Sequence, residues 1–499
     1  MKLFIKNKAT VAACATFLAL GTFSCQTDLL NPVPTTLFSD RVVFSTPARI
    51  ALQVNNLYAY VKTGGFLGGR YQVYGDIRAD DFVNRTSNGV TGLGVWNHTL
   101  TEASQNDVIN TWGAAYSAIN QMNVFLAGLD NNAALFVAPT FAANFATTAN
   151  NYRGEARLLR ALSYYSLLQL YARPYTDGGG TRPGLPLRIL AETGPQNNDL
   201  ARSTVAEVYA QILSDLTFAE QNLPLTYGTT DPSLNVTRAH RNTAIALKTR
   251  VYLSMGRYTD VITEANKIVP AAAPFAATSG VANALNASVV AVFAGSQLTT
   301  ESILSFPFTA QDPPGTQNQL AYYYLPAPLG NGEYGLNTAA GSIYANTNWA
   351  ATDARRVNFV TKSGTEYFLS KYPTGTPYID KAPVIRYAEV LLNLAEARVR
   401  STNTVDAQAL LLLNAVRSRS NATAYTAAGL GTVAATTDAL LLERRIEFLG
   451  EGLRNIDLMR LGATIPGKGS IGAIEPANVL YVWPIPSTEL ATNTLMTRN

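Results

Sequence analysis

Apolar residues along this chain recur at the three- and four-residue spacing that places them on one face of a helix. The first stripe is Ile50, Val54, Leu57, Tyr58 and Val61. Thr46 and Pro47 introduce it as N-cap and first-turn residues, and Gly64-Gly65 stops it. A second stripe, Val108, Trp112, Ala115, Ile119, Met122, Leu126 and Leu129, predicts a helix over 104–129. A third segment, 152–172, is apolar nearly all round, which predicts burial on several sides, and Pro174 ends it. Thr204 and Glu207 have the spacing of a capping box ahead of Val205, Val208, Ile212, Leu216 and Ala219. Ala244, Leu247 and Val251 mark one helix, Gly256 a turn, and Val261, Ile262, Ala265, Ile268 and Val269 a return helix. Further helices are predicted over 382–400, 405–419 and 437–461, the first of them carrying Glu396 and Arg400 as an i,i+4 ion pair.

Two stretches break this pattern. Residues 64–102 are rich in glycine and loop-like, and include Tyr71, Tyr74, Asp80, Asp81, Trp96 and Asn97. Residues 271–380 are rich in Ala, Gly, Pro, Tyr and Asn, with short β-prone runs at 302–308 and 366–369 and a cluster of aromatics, among them Tyr322, Tyr323, Tyr324, Tyr334, Tyr344 and Trp349. That aromatic content argues against disorder. A long irregular stretch that is ordered inside a helical protein points to function.

Composition narrows the class. The 499 residues are 47% hydrophobic and only 14% charged, enough apolar material for a large core with long polar loops. The formal net charge is +4, of which Lys2, Lys6 and Lys8 contribute three, so the chain after residue 24 carries 4 − 3 = +1. This gives no electrostatic footprint for nucleic acid. Residues 1–24 have a basic start, a short apolar run and small Ser24 before Cys25, the pattern of an export signal. Cleavage before Cys25 resembles that of bacterial lipoproteins, with Thr22 standing where Leu is usual and Leu20 two residues earlier. Acylation of Cys25 would then be the sole membrane attachment, since no other segment approaches 18 uncharged apolar residues. Residues 26–44, with Pro32 and Pro34, read as an extended tether. The only other cysteine, Cys14, lies in the leader, so no internal disulfide is expected in the remainder.

Small alanines around the Gly256 turn resemble a tetratricopeptide unit, without a clean 34-residue self-similarity elsewhere. The C-terminal run Glu443-Arg444-Arg445-Ile446-Glu447-Phe448, continuing through Glu451, Gly452, Arg454, Asp457 and Arg460, resembles the strongest signature of the SusD/RagB family. Pro484-Ile485-Pro486 with Glu489, the segment Arg386–Asn393, the trio Asn414, Arg417 and Arg419, and the earlier Trp112, Tyr116, Ile119 and Asn123 fit that family in the same order. So do Gly154-Glu155-Ala156-Arg157 and Arg160-Ala161. The resemblance implies a mainly α fold over 25–499: four degenerate tetratricopeptide-like helix pairs, mainly in 45–270 and 382–461, packed against a loop-rich half with a few short strands. It also implies an outer-membrane, surface-exposed lipoprotein that captures oligosaccharide, or in some branches peptide, and delivers it to a SusC-like TonB-dependent transporter.

For a glycan, aromatic rings cover the apolar C–H face while amides and guanidiniums meet the hydroxyl rim. Trp96, Asn97, Tyr71 and Tyr74 from the first irregular stretch, and Tyr322, Tyr334 and Trp349 from the second, are the expected ligand contacts. Trp112 and Trp483 are assigned to packing. The charges of the signature are expected to pair along their own helix, as Arg444–Glu447, Glu451–Arg454 and Asp457–Arg460, and not to act on a substrate. His98 reads as a satisfied loop residue and His240 as a surface or capping residue, and no nucleophile elbow or His-Glu-x-x-His motif accompanies either. No cofactor is expected and the protein is read as a binder, not an enzyme. A structural calcium ion is left open, with no EF-hand pattern in view. An all-α glycoside hydrolase using Asp80, Asp81 or Glu333, and a protein-binding scaffold, are the alternatives.

Overall fold

The computed structural model describes residues 40–499. The leader, Cys25 and most of the expected tether lie outside the described residues. The end of that tether is not extended: Asp40–Val43 form a short helix.

The body is a stack of helices. They are α1 (Pro47–Val61), α2 (Asn110–Asn131), α3 (Phe145–Tyr171), α4 (Val205–Asn222), α5 (Arg241–Ser254), α6 (Tyr258–Ala265), α7 (Tyr387–Thr402) and α8 (Ala407–Ser418). Each packs on the next through the series, so consecutive helices form the four expected pairs. Their apolar stripes face inward: Ile50, Val54 and Val61 of α1, Val108 just ahead of α2, Trp112 and Ile119 of α2, and Val208 and Ile212 of α4 are buried. Local signals operate as read. Thr46 caps α1, accepting from Arg49 N at 3.4 Å. Thr204 and Glu207 form a complete capping box, with Thr204 N donating to Glu207 Oε2 at 2.7 Å and Glu207 N to Thr204 Oγ1 at 3.2 Å.

Two predicted helices change at their ends. Residues Ala382–Arg386 are a strand, paired antiparallel with Ser302–Phe306, and α7 starts only at Tyr387. Pro383 and the β-branched Val384 and Ile385 suit an extended run better than a helix. The single helix expected over 437–461 is two, α9 (Val433–Glu447) and α10 (Arg454–Arg460). Gly450 and Gly452, at φ 86° and 81°, make the break in a backbone region that glycine tolerates. Nor is 64–102 all loop. It holds the helices Arg70–Ile77 and Leu93–Trp96 and the strand Phe82–Asn84, which pairs with Tyr334–Leu336. The β-prone run at 366–369 forms a hairpin with Val360–Ser363.

The break after α9 lets the helix Arg70–Ile77 approach closely. A Cβ on Gly75 would run into the carbonyl of Gly452. Gly75→Ala is therefore expected to cost about 1–3 kcal/mol of stability, as overpacking does, read from chemical denaturation. A stability equal to wild type would contradict that contact.

The tail is fixed to the stack by aromatic packing. Trp112 meets Tyr171 edge-on at 5.0 Å, and Trp483 lies 5.6 Å from Tyr171 and 5.3 Å from Tyr74, with Trp483 N donating to Leu170 O at 2.8 Å. Trp112 and Trp483 thus pack as expected.

Candidate functional site

The charges of the C-terminal signature are mostly not paired along their own helix. Asp457–Arg460 is such a pair, at 2.8 Å. Arg444 instead reaches Asp457 at 3.0 Å, across the break between α9 and α10. Glu447 binds Arg355 and Arg386 at 2.9 Å and Arg419 at 2.6 Å, and Glu451 binds Lys371 at 2.6 Å and Arg386 at 2.7 Å. Glu443 joins Arg355 and Arg417, Asp353 joins Arg355, and Glu301 joins Arg386 and Arg419. The five carboxylates Glu301, Asp353, Glu443, Glu447 and Glu451 face the five cations Arg355, Lys371, Arg386, Arg417 and Arg419, nearly all of them buried. Burial pushes Glu447 up, but Arg419, Arg386 and Arg355 outweigh it and hold its carboxyl well below the usual range. In this network each of the five carboxylates is matched by at least one cation, and only the Nε of Arg419 lacks a partner among the described residues, an arrangement that holds elements together.

The three carboxylates considered for a hydrolase are also engaged. Asp81 accepts from Arg445 at 2.9 Å and from Ile343 N at 2.8 Å. Although burial raises it, the Arg445 guanidinium keeps Asp81 below the ordinary carboxylate range. Asp80 pairs with Arg445 at 3.0 Å. Glu333 is fully buried and accepts from Thr91, Asn88 and Asn331.

The expected ligand contacts divide by burial. Tyr71, Tyr74, Tyr334 and Trp349 are interior. Tyr74 donates to Asp107 at 2.8 Å, Tyr334 donates to Thr91 O at 2.7 Å, and Trp349 lies beneath the Arg356 guanidinium. Tyr71 packs edge-on against Phe66. In this structure these four rings are core packing. Trp96, Asn97 and Tyr322 remain half-buried. The Trp96 indole is held by a 3.0 Å bond from Nε1 to Phe82 O, and the Lys468 amine sits 5.7 Å from its ring. Lys468 donates to Ile77 O and Arg78 O, and burial pushes its amine down to about 7. Asn97 closes its own turn through Thr99 Oγ1 at 2.6 Å. Tyr322 lies edge-on to Tyr378.

A second group of polar and aromatic side chains gathers around Arg445. The strand carrying Phe82 follows directly on Asp80 and Asp81, which bind Arg445, and Arg454 lies 3.7 Å from Asp80. Arg445 and Arg454 then line a depression of about 500 Å³ with Asn346, Asn348, Tyr425 and Asp438. Next to Asn346, the rings of Tyr344 and Tyr367 pack at a tilt with centroids 4.5 Å apart, and the Arg356 guanidinium lies 4.5 Å from the Tyr344 ring. Sequence reasoning put Tyr344 in its aromatic cluster without choosing it, and read Arg445 and Arg454 as fold signature alone. The clue available was Asn346-Thr347-Asn348 beside aromatics in the second irregular stretch.

The histidines are both interior. His240 is fully buried, which corrects the surface alternative, and it is the N-cap residue of α5, as the capping alternative expected, its N donating to Thr243 Oγ1 at 3.2 Å; burial pushes it down to about 4. Burial likewise pushes His98 down to about 3, and its Nε2 has no hydrogen-bond partner among the described residues, so it is not the satisfied loop residue expected. Among the described residues no group of three or more His, Cys, Asp or Glu side chains is placed to hold a metal, and no helix is long and apolar enough to cross a membrane.

A family model described as starch-binding and associating with the outer membrane matches residues 38–253, and the SusD family model matches residues 249–499. A SusD-like protein of Formosa agariphila is 23% identical over 470 residues, covering 85% of this chain and 86% of its own. The crystal structure of a SusD superfamily protein from Bacteroides fragilis superposes with a TM-score of 0.79 at 32% identity, over 91% of this chain and 100% of that one. A laminarin-binding SusD-like protein shares the fold, with a TM-score of 0.68 at 21% identity over 91% of this chain and 99% of its own. One family model spanning half the chain, and a solved relative sharing a third of its residues over nine-tenths of it, show that this chain belongs to the SusD family.

Proposed function

We propose that the protein captures oligosaccharide at the cell surface, tethered to the outer membrane by an acylated Cys25, and delivers it to a SusC-like TonB-dependent transporter. The observation that carries this reading is the depression of about 500 Å³ lined by Asn346, Asn348, Tyr425, Arg445 and Arg454, with the half-buried rings of Tyr344 and Tyr367 packed together next to Asn346. Rings held rigid at a half-buried surface supply stacking, and the amides and guanidiniums beside them supply hydrogen bonds for hydroxyls. A SusD-like neighbour that binds laminarin supports glycan as the ligand class. The role is binding without hydrolysis: a glycosidase needs one carboxylic acid with a raised pKa opposite a second carboxylate. Here Asp81 is held ionised by Arg445, and Glu333 is sealed in the core.

The test is calorimetric titration of the purified protein with neutral glycans, laminarin fragments among them, and with peptide mixtures. Glycan is expected to bind, and Tyr344→Ala to weaken it by about tenfold or more, the loss of one stacking platform, with Trp96→Ala as the second variant for the other half-buried ring. Binding of peptides alone, or product formation on prolonged incubation, would overturn the reading. The transporter partner is checked by co-purification from outer membranes through a tag on this chain, where recovery of no barrel protein counts against it.

A further inference from the structure

A second depression, of about 590 Å³, lies where the C-terminal tail returns to the helix stack, and its lining shares no residue with that of the depression at Asn346. Four arginines line it, Arg173, Arg182, Arg202 and Arg498, against one acid, Asp177. Two of the four already have counter-charges. Arg182 bonds Asp177 at 3.1 Å, and Arg498 pairs with Glu102 at 2.5 Å.

The other two do not. Arg173 bonds the carbonyls of Pro476 and Asn478 and faces the Tyr481 ring at 5.8 Å. Arg202 bonds Gly184 O at 2.8 Å, Pro183 O at 3.0 Å, and Thr497 O and Arg498 O at 3.3 Å. Carbonyls satisfy donors but leave the charge uncompensated, and burial accordingly pushes Arg202 down to about 10. A terminal carboxylate on Asn499, which also lines the depression, would offset one of these two charges at most.

The shape points to a chain and not a single ion. A neighbouring depression of about 490 Å³ shares Arg173, Asp177 and Pro476 with the first and runs on to Tyr258 and Arg400. Each is of the size that holds a small organic ligand. Val479 and Val482 add apolar lining beside the guanidiniums. Guanidiniums without a carboxylate partner favour carboxylate or sulfate; Arg202, with four of its five N–H groups already on carbonyls, supplies chiefly charge, and Arg173, bonded to two carbonyls, keeps donors for the ligand.

We propose that this cleft is a second binding site, for the acidic groups of a uronate-containing or sulfated oligosaccharide, with Arg173 and Arg202 as its fixed charges and Arg182 at its mouth. The experiment is calorimetry of the purified chain with trigalacturonate, a sulfated laminaritriose, maltotriose and vesicles of anionic phospholipid. At least one acidic trisaccharide is expected to bind, with an affinity that falls as salt is added. Arg173→Gln is expected to weaken it by about tenfold or more. Because Arg173 also supports the tail, Arg182→Gln is the second variant. That side chain is 56% exposed, bonds no main-chain carbonyl, and is expected to lower affinity while the melting temperature stays at the wild-type value. The proposal is overturned if neither acidic trisaccharide binds, if maltotriose binds as tightly as they do, if both variants bind them as wild type does, or if only the vesicles bind.

Discussion

Arg386→Met is expected to lower the unfolding free energy by about 3–5 kcal/mol, the cost of breaking a buried ion pair by removing one partner. The guanidinium of Arg386 is 1% exposed and contacts Glu301, Glu447 and Glu451 at once. Methionine fills much of the same space and leaves three carboxylates with fewer cations in an interior without water to solvate them. An exposed pair supplies the comparison. Arg153→Met, whose partner Asp130 is 68% exposed, is expected to cost less than about 1 kcal/mol. Denaturant unfolding of both variants checks the pair, and equal losses would show that the buried network contributes nothing special. The network joins the strand pair Ser302–Phe306 and Ala382–Arg386 to α8 and α9, so its loss is also expected to loosen the irregular half that carries Tyr344 and Asn346.

Acid is expected to unfold the protein through the same kind of group. For Asp457, burial is outweighed by Arg444 and Arg460, which bring its carboxyl down to about 2. Glu447, Glu451 and Glu396 are depressed for the same reason, by Arg419, Arg386 and Arg460 respectively acting against burial. A carboxyl whose folded pKa lies below its unfolded value stabilises the fold above that unfolded value, near 4. The stabilisation fades as pH falls through the folded one, for Asp457 between about pH 5 and pH 2, with roughly 2–3 kcal/mol lost from that residue. Asp107 works the other way. Burial raises it to about 6, so the fold gains from its protonation as pH drops from above 6 toward 4. The buried histidines oppose that gain: with His98 held down to about 3 and His240 to about 4, the unfolded chain takes up their protons first once pH falls below about 6.5, so the melting temperature is expected to decline from about pH 6 and to fall more steeply toward pH 2. Asp457→Asn is expected to melt lower at pH 7 and to show a shallower acid limb. A flat melting profile between pH 5 and pH 2 would rule out the depressed carboxyls as the cause.

The helical half was legible from spacing because its signals are local. Thr46 and Pro47 start α1, Thr204 and Glu207 start α4, and the inward stripes are the residues the periodicity names. A helix decides its own buried face every three or four residues, so one sequence suffices. The family motifs worked for a related reason, since their order along the chain survives whatever the loops do.

Partners of the buried charges were not legible. Glu447 and Glu451 have good i,i+3 neighbours in sequence, yet they bind residues 28 to 92 positions away, because Gly450 and Gly452 end the helix and turn those side chains into the core. The candidate site failed in the same way. Tyr71, Tyr74, Tyr334 and Trp349 read like Trp96, as aromatics in glycine-rich stretches, because composition does not say which way a ring points. Only packing decides that: Tyr74 turns in to meet Trp483, while the Leu93–Trp96 helix leaves Trp96 at the surface with its indole tied to Phe82. Helix identity, caps and class follow from contacts a few residues apart, and these the chain determines unaided. The depression between Asn346 and Arg445, and the cationic cleft at Arg173, bring together segments distant in sequence, and a juxtaposition of that kind exists only once the fold has closed around its core.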